Sequence, residues 1–138
     1  MSNPVPAVLR SAVIERAGGR CEYCHKPQIS FFPHEVDHVV ALKHGSATTL
    51  ENLAFACFQC NRYKGSDLAS IDPHTGAITP LFNPRTQLWT EHFRFDGATT
   101  ITPLTPEGRA TVFLLRLNDL ERTQERAALK VGDPNGET

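Results

Sequence analysis

Near the front of the chain, Val8, Leu9, Ala12 and Val13 recur at helical spacing, with Arg16 in the same register. Gly18-Gly19 stops the run, so a short helix is predicted after Pro4 and Pro6. Residues 35–42, EVDHVVAL, are rich in β-favouring side chains and predict a strand. Residues 43–46 make a loop, 48–53 carry a helical turn, and 53–56 predict a second short strand. A helix is expected from residue 58 to 63 or 64, ended by Gly65. Beyond it, Asp72-Pro73-His74-Thr75-Gly76 reads as a turn, and Asp96-Gly97 stands where a hairpin reverses. Thr105-Pro106 is an N-cap with proline at the first helical position. Ala110, Phe113, Leu114 and Leu117 follow as an apolar stripe, expected to pack. Residues 120–130 predict a last helix, and 131–138 a disordered tail. The fold class is α+β, with a core unit over 1–69 and a C-terminal extension of hairpin and helices over 70–130 packed on it.

Composition narrows the picture. No stretch approaches the apolar length of a membrane span, and charges interrupt the N-terminus too often for a signal peptide. A cytoplasmic protein is expected, with no membrane partner, and there stable disulfides are rare. The four cysteines form two Cys-x-x-Cys pairs, Cys21/Cys24 and Cys57/Cys60, with 32 residues between the pairs. Four thiolates suit tetrahedral Zn2+, at Zn–S distances near about 2.3 Å. The ion would clip the intervening unit closed at both ends, supplying folding free energy where the core is thin. A redox pair is the competing reading, but neither motif sits in a thioredoxin-like βαβ pattern. His25 is read as a loop residue beside a complete thiolate shell. Net charge is −1, with seven Lys/Arg against six Asp/Glu over residues 1–67 and seven against nine over 68–138. Any basic surface is therefore local, although a few phosphate contacts need only a few cations.

Inside the clip, Asp37 and His38 stand in apolar company, where polar groups need partners. They could simply be a satisfied pair at a strand end. They are also a workable hydrolytic pair, since a carboxylate can hold a hard cation and an imidazole can take a proton from water near neutral pH. Asn52 and Asn61 follow them. On a helix beginning near Cys57, Cys57 and Cys60 share one face and Asn61 is turned about 100° away. Arg62 and Lys64 add charge suited to phosphate.

Cys21-x-x-Cys24, then Val36-Asp37-His38-Val39-Val40-Ala41-Leu42, Leu50-Glu51-Asn52-Leu53 and Ala56-Cys57-x-x-Cys60-Asn61-Arg62-x-Lys64-Gly65-Ser66-Asp67 together resemble the HNH endonuclease family. The resemblance covers about residues 10–67 and implies a ββα-metal finger, here in the subgroup braced by four-cysteine zinc. It implies that His38 is the general base, Asp37 a metal ligand, Asn52 the residue that braces the loop and orients the base, and Asn61 a second metal ligand. Asn61 replaces the final histidine of the literal motif. An amide oxygen suits Mg2+ or Mn2+ better than zinc or nickel, so a catalytic ion distinct from the structural zinc is expected. The implied reaction is metal-assisted hydrolysis of DNA, nicking one strand per active site and leaving a 5′-phosphate and a 3′-hydroxyl. Because neighbours on a regular strand face opposite ways, a strand end or bulge is needed to bring Asp37 and His38 together.

Other candidates carry less. His34 and His38 would lie about 13 Å apart along a strand. His44, in the loop over the site, could touch phosphate. His74 reads as turn surface, and Trp89, His92 and Phe93 as a small core cluster rather than a base-stacking platform. The alternative function is a non-catalytic zinc-dependent module that binds DNA or a protein. RNA as substrate stays open, as does action as a homodimer or within a larger complex.

Overall fold

A computed structural model describes residues 5–28 and 33–131. The first helix, α1 (Ala7–Ala17), ends where Gly18 turns left-handed at φ 64°. Gly18 N–H donates to Glu15 O and Gly19 N–H to Ile14 O, closing the last turn. Strands β1 (Glu35–His38) and β2 (Leu53–Ala56) pair antiparallel, with Val36 opposite Phe55, Asp37 opposite Ala54 and His38 opposite Leu53. Leu9, Val13, Ile14 and Ala17 of α1 pack on Val36, Leu53 and Phe55. Val8, expected on that face, is 81% exposed, and Ile14 packs instead.

The predicted strand over 35–42 stops at His38. The peptide groups beyond it are taken by Asn52 rather than by a strand partner. Val39 N–H donates to Asn52 O, and the chain then turns through a 3-10 helix at Leu42–His44. A second 3-10 turn, Leu50–Asn52, leads into β2. Helix α2 (Phe58–Lys64) follows, with Cys57 as N-cap, its Sγ accepting from Cys60 N–H. Helix α2 packs against β1, completing a ββα unit.

The C-terminal half adds hairpin β3–β4 (Ala69–Ile71, Ile78–Pro80), the short helix α3 (Trp89–His92), hairpin β5–β6 (Phe93–Asp96, Thr100–Pro103), α4 (Pro106–Leu114) and α5 (Leu120–Leu129). The Asp96-Gly97 reversal and the Thr105 cap stand where the sequence places them, with Thr105 Oγ1 accepting from Gly108 N–H. The three-residue strands of the first hairpin had no periodic signal. Phe113, assigned to the packed stripe, is 56% exposed, while Leu117 is buried beyond the end of α4.

A second core forms around the cysteines. Cys21, Tyr23, Cys24, Ala56, Cys57 and Cys60 pack with Phe82, Phe93, Ile101, Leu115 and Leu117 from the C-terminal half. Trp89 stacks at 5.2 Å on Phe93 and at 4.0 Å on His25, joining this core. Val131, placed by sequence in the tail, is buried; residues 132–138 lie outside the described residues. No described helix is long and apolar enough to cross a membrane.

Candidate metal centre and catalytic corner

The first knuckle follows directly from the end of α1. Arg20 bridges to Pro27, Cys21 N–H donates to Lys26 O, and His25 closes the turn at φ 66°. The result places backbone donors on sulfur: Tyr23 N and Cys24 N lie 3.4 and 3.5 Å from Cys21 Sγ. The second knuckle repeats this at the N-terminus of α2, with Cys60 N 3.4 Å from Cys57 Sγ. All four sulfurs lie within 4.8 Å of one another and all four residues are buried. None is in a disulfide. Four buried thiols converging at this spacing, with N–H groups aimed at sulfur, suit a structural metal, and the all-sulfur donor set suits zinc.

Arg122 of α5 completes the surroundings. Its Nη2 donates to Cys60 Sγ at 3.2 Å and to Cys57 Sγ at 3.6 Å, and its Nη1 to Leu115 O at 2.6 Å. His25 beside the cluster is pushed down to about 4 by burial, so its stacked ring is neutral near pH 7. It is not among the four converging sulfur ligands.

The second site is the end of β1. Asp37 and His38 are its last two residues and both are half-buried. The pair thus stands at a strand end rather than at a bulge. Burial raises the Asp37 carboxyl above its usual range. The His38 backbone, the Lys64 ammonium and the His38 ring oppose that rise, which places all of them in the electrostatic neighbourhood of the carboxyl. His38 Nε2 lies 2.8 Å from Thr48 Oγ1, leaving Nδ1 as the other ring nitrogen.

Asn52 is buried and fully engaged. Its Oδ1 accepts from Val40 N–H at 2.9 Å, and its Nδ2 donates to Val40 O and Ala47 O, each at 2.9 Å. It therefore pins the chain that leaves His38. Arg16 of α1 holds Asn52's neighbours, donating to Leu50 O at 2.9 Å and Leu53 O at 2.6 Å.

Asn61 is half-buried on α2, its backbone N–H donating to Cys57 O. Lys64 lies three residues on, near the same helical face. Lys64 was expected at phosphate, but it is only 4% exposed and its Nζ donates to Val39 O at 2.8 Å. It ties α2 to the residue after His38. Arg62 is exposed. His44 is exposed too, with Nε2 3.1 Å from Ser66 O. His34 is buried before β1, its Nε2 2.9 Å from Lys26 O, and takes no part in this corner.

Sequence reasoning missed Thr48, Arg16 and Arg122. Thr48 had a faint signal, being a hydroxyl in the loop before Asn52. The two arginines had none, because the site groups they reach, Leu50 O and Leu53 O for Arg16 and the two sulfurs for Arg122, lie 34 or more residues away along the chain.

Comparison with known proteins adds one match: residues 21–67 fit the family model described as HNH endonuclease. No curated protein and no solved structure gives a significant match. The matched segment contains both knuckles, the ββα unit and Asp37, His38, Asn52 and Asn61, so over residues 21–67 the chain is similar to the HNH endonuclease family, and its four-cysteine cluster is consistent with the zinc-binding subgroup.

Proposed function

We propose that the protein is a metal-dependent nuclease that hydrolyses DNA phosphodiester bonds, nicking one strand at each active site. The observation that carries this reading is the placement of Asp37 and His38 at the end of β1, against the helix that bears Asn61, inside the family-matched segment. The Asp37 carboxyl is retained in a half-buried place that disfavours its charge. That is expected of a group whose partner is a cation.

Asp37 and Asn61 offer an all-oxygen donor set for Mg2+ or Mn2+, which when bound would stabilise charge at the scissile phosphate and the leaving oxygen. His38 takes the proton of the attacking water at Nδ1. This role requires the tautomer in which Nε2–H donates to Thr48 Oγ1, 2.8 Å away, so that the Nδ1 lone pair is available and the ring is fixed. Asn52 and Lys64 hold the Val39 and Val40 peptides behind the base. Arg62 and His44 are the exposed groups for phosphate contact, while Lys64 acts from within.

The test is to offer the purified protein duplex DNA, single-stranded DNA and RNA with Mg2+, with Mn2+ and with neither. Cleavage of DNA only when a divalent ion is supplied supports the proposal. Preferential cleavage of RNA would overturn the substrate assignment. Failure to cleave any of the three by folded, zinc-loaded protein would favour a non-catalytic binding module.

A further inference from the structure

We infer that Arg122 is an outer-sphere partner of the four-cysteine centre, so that helix α5, outside the family-matched segment, is part of the metal site. Arg122 is 3% exposed, and among the described residues it forms no ion pair with a carboxylate. A buried guanidinium needs compensation. What it meets are two sulfurs, Cys60 Sγ at 3.2 Å and Cys57 Sγ at 3.6 Å, plus one carbonyl, Leu115 O. Four thiolates around a divalent ion leave an excess of negative charge, which the guanidinium neutralises through charge-assisted N–H···S contacts.

The neighbouring arginine makes the case specific. Arg126 lies one helical turn along α5 and is equally buried. Its donors go to Thr99 O, Leu117 O and Asn118 Oδ1, all oxygens of the C-terminal half. Helix α5 thus carries one arginine for the fold and one for the sulfurs. A second link runs beside the centre: Glu125 pairs with Lys26 at 3.0 Å and accepts from Gln59 Nε2 at 3.5 Å, joining α5 to both knuckles. By donating to the two sulfurs on the α2 side, Arg122 holds them in place and slows the departure of the metal.

The experiment uses the full chain purified with zinc and follows transfer of zinc to a chromogenic chelator, with zinc content and circular dichroism as controls. Arg122→Met is expected to remain folded and to release zinc about 10- to 100-fold faster than wild type. Arg122→Lys, which keeps the charge, is expected to fall between them. Arg126→Met is expected to lower the melting temperature while releasing zinc at the wild-type rate from the folded state. Wild-type release from Arg122→Met would overturn the inference, as would equal acceleration in Arg126→Met. If Arg122→Met does not fold, the matched pair Arg122→Lys and Arg126→Lys decides. Faster release from the first supports the assignment, and equal release overturns it.

Discussion

At the scale of single residues, Asp37 stands in a place that disfavours its charge. Burial holds the Asp37 carboxyl above its usual range. The folded state therefore binds that proton more tightly than the unfolded chain. The resulting stabilisation is full below the unfolded value near about 4 and is lost as pH rises through the folded value. Burial makes the Asp37 charge less favourable in the folded chain than in the unfolded one, and Lys64 and His38 offset only part of this. Asp37→Asn is accordingly expected to abolish metal-dependent cleavage while leaving the melting temperature at pH 7 unchanged or raised. A marked fall in melting temperature would make Asp37 a structural ion-pair residue instead. Thr48→Val removes the partner of His38 Nε2 and keeps the side-chain shape. Losing one hydrogen bond worth about 1 kcal/mol predicts a fall of about fivefold in kcat, with KM little changed. Steady-state cleavage kinetics check this, and an effect on KM alone would remove Thr48 from the positioning of the base.

At the scale of elements, the C-terminal half is held by close approaches rather than by long apolar faces. Gly108 lets α4 approach α3 so closely that a Cβ there would sit 2.4 Å from His92 O. Gly108→Ala gains up to about 1 kcal/mol of helix propensity. Against a backbone atom, the overpacking cost of about 1–3 kcal/mol is the larger effect. Chemical denaturation should therefore show a net loss, and a gain would mean that α4 shifts freely. Hairpin β3–β4 is tied to α4 by Arg109, whose Nε and Nη2 donate to the two carboxylate oxygens of Asp72 at 2.9 and 2.8 Å. Arg109, with the His74 amide and the Thr75 hydroxyl, holds the Asp72 carboxyl well below its usual range. This stabilisation is present above the unfolded value near about 4 and is lost as pH falls through the folded value. The melting-temperature gap between wild type and Asp72→Asn should be widest near neutrality and close as pH drops below about 4. A gap that does not vary with pH would mean that the pair contributes through packing alone.

These elements differ in how far they could be read from the chain. Helix α2, its cysteine faces and the Asp96-Gly97 hairpin rest on local signals: a spacing, a cap, a turn dipeptide. The 35–42 strand was overextended because Val39, Val40 and Leu42 favour β structure locally. Asn52, more than ten residues away, takes the Val39 N–H and both Val40 peptide groups, and Leu42 O accepts from Gly45 N–H in a turn. Val8 and Ile14 both fit a helical stripe, and only the position of β2 decides between them.

At the scale of the whole molecule, the cysteine cluster is the meeting point of the two halves. Its core includes Phe82, Phe93, Ile101, Leu115 and Leu117, and Arg122 reaches its sulfurs. The ligands were legible from spacing alone. Arg122 was not, because α5 reads as a polar helix, LERTQERAAL, whose charges look solvated. Lys64 was misplaced for the same reason: a cation beside a candidate phosphate site reads as a contact until its burial against Val39 O is seen. On the proposed reading, this architecture keeps folding and chemistry apart. The sulfurs stand at the ends of the module, and half-buried Asp37 and His38 end the strand between them.

That separation is tested most directly by supercoiled-plasmid cleavage with wild type and His38→Ala, each with Mg2+, with Mn2+ and with both withheld, and with zinc measured on both proteins. The account predicts nicking by wild type only when a divalent ion is supplied, no nicking by His38→Ala, and one zinc in each protein. Wild-type rates of nicking from zinc-loaded His38→Ala would contradict it.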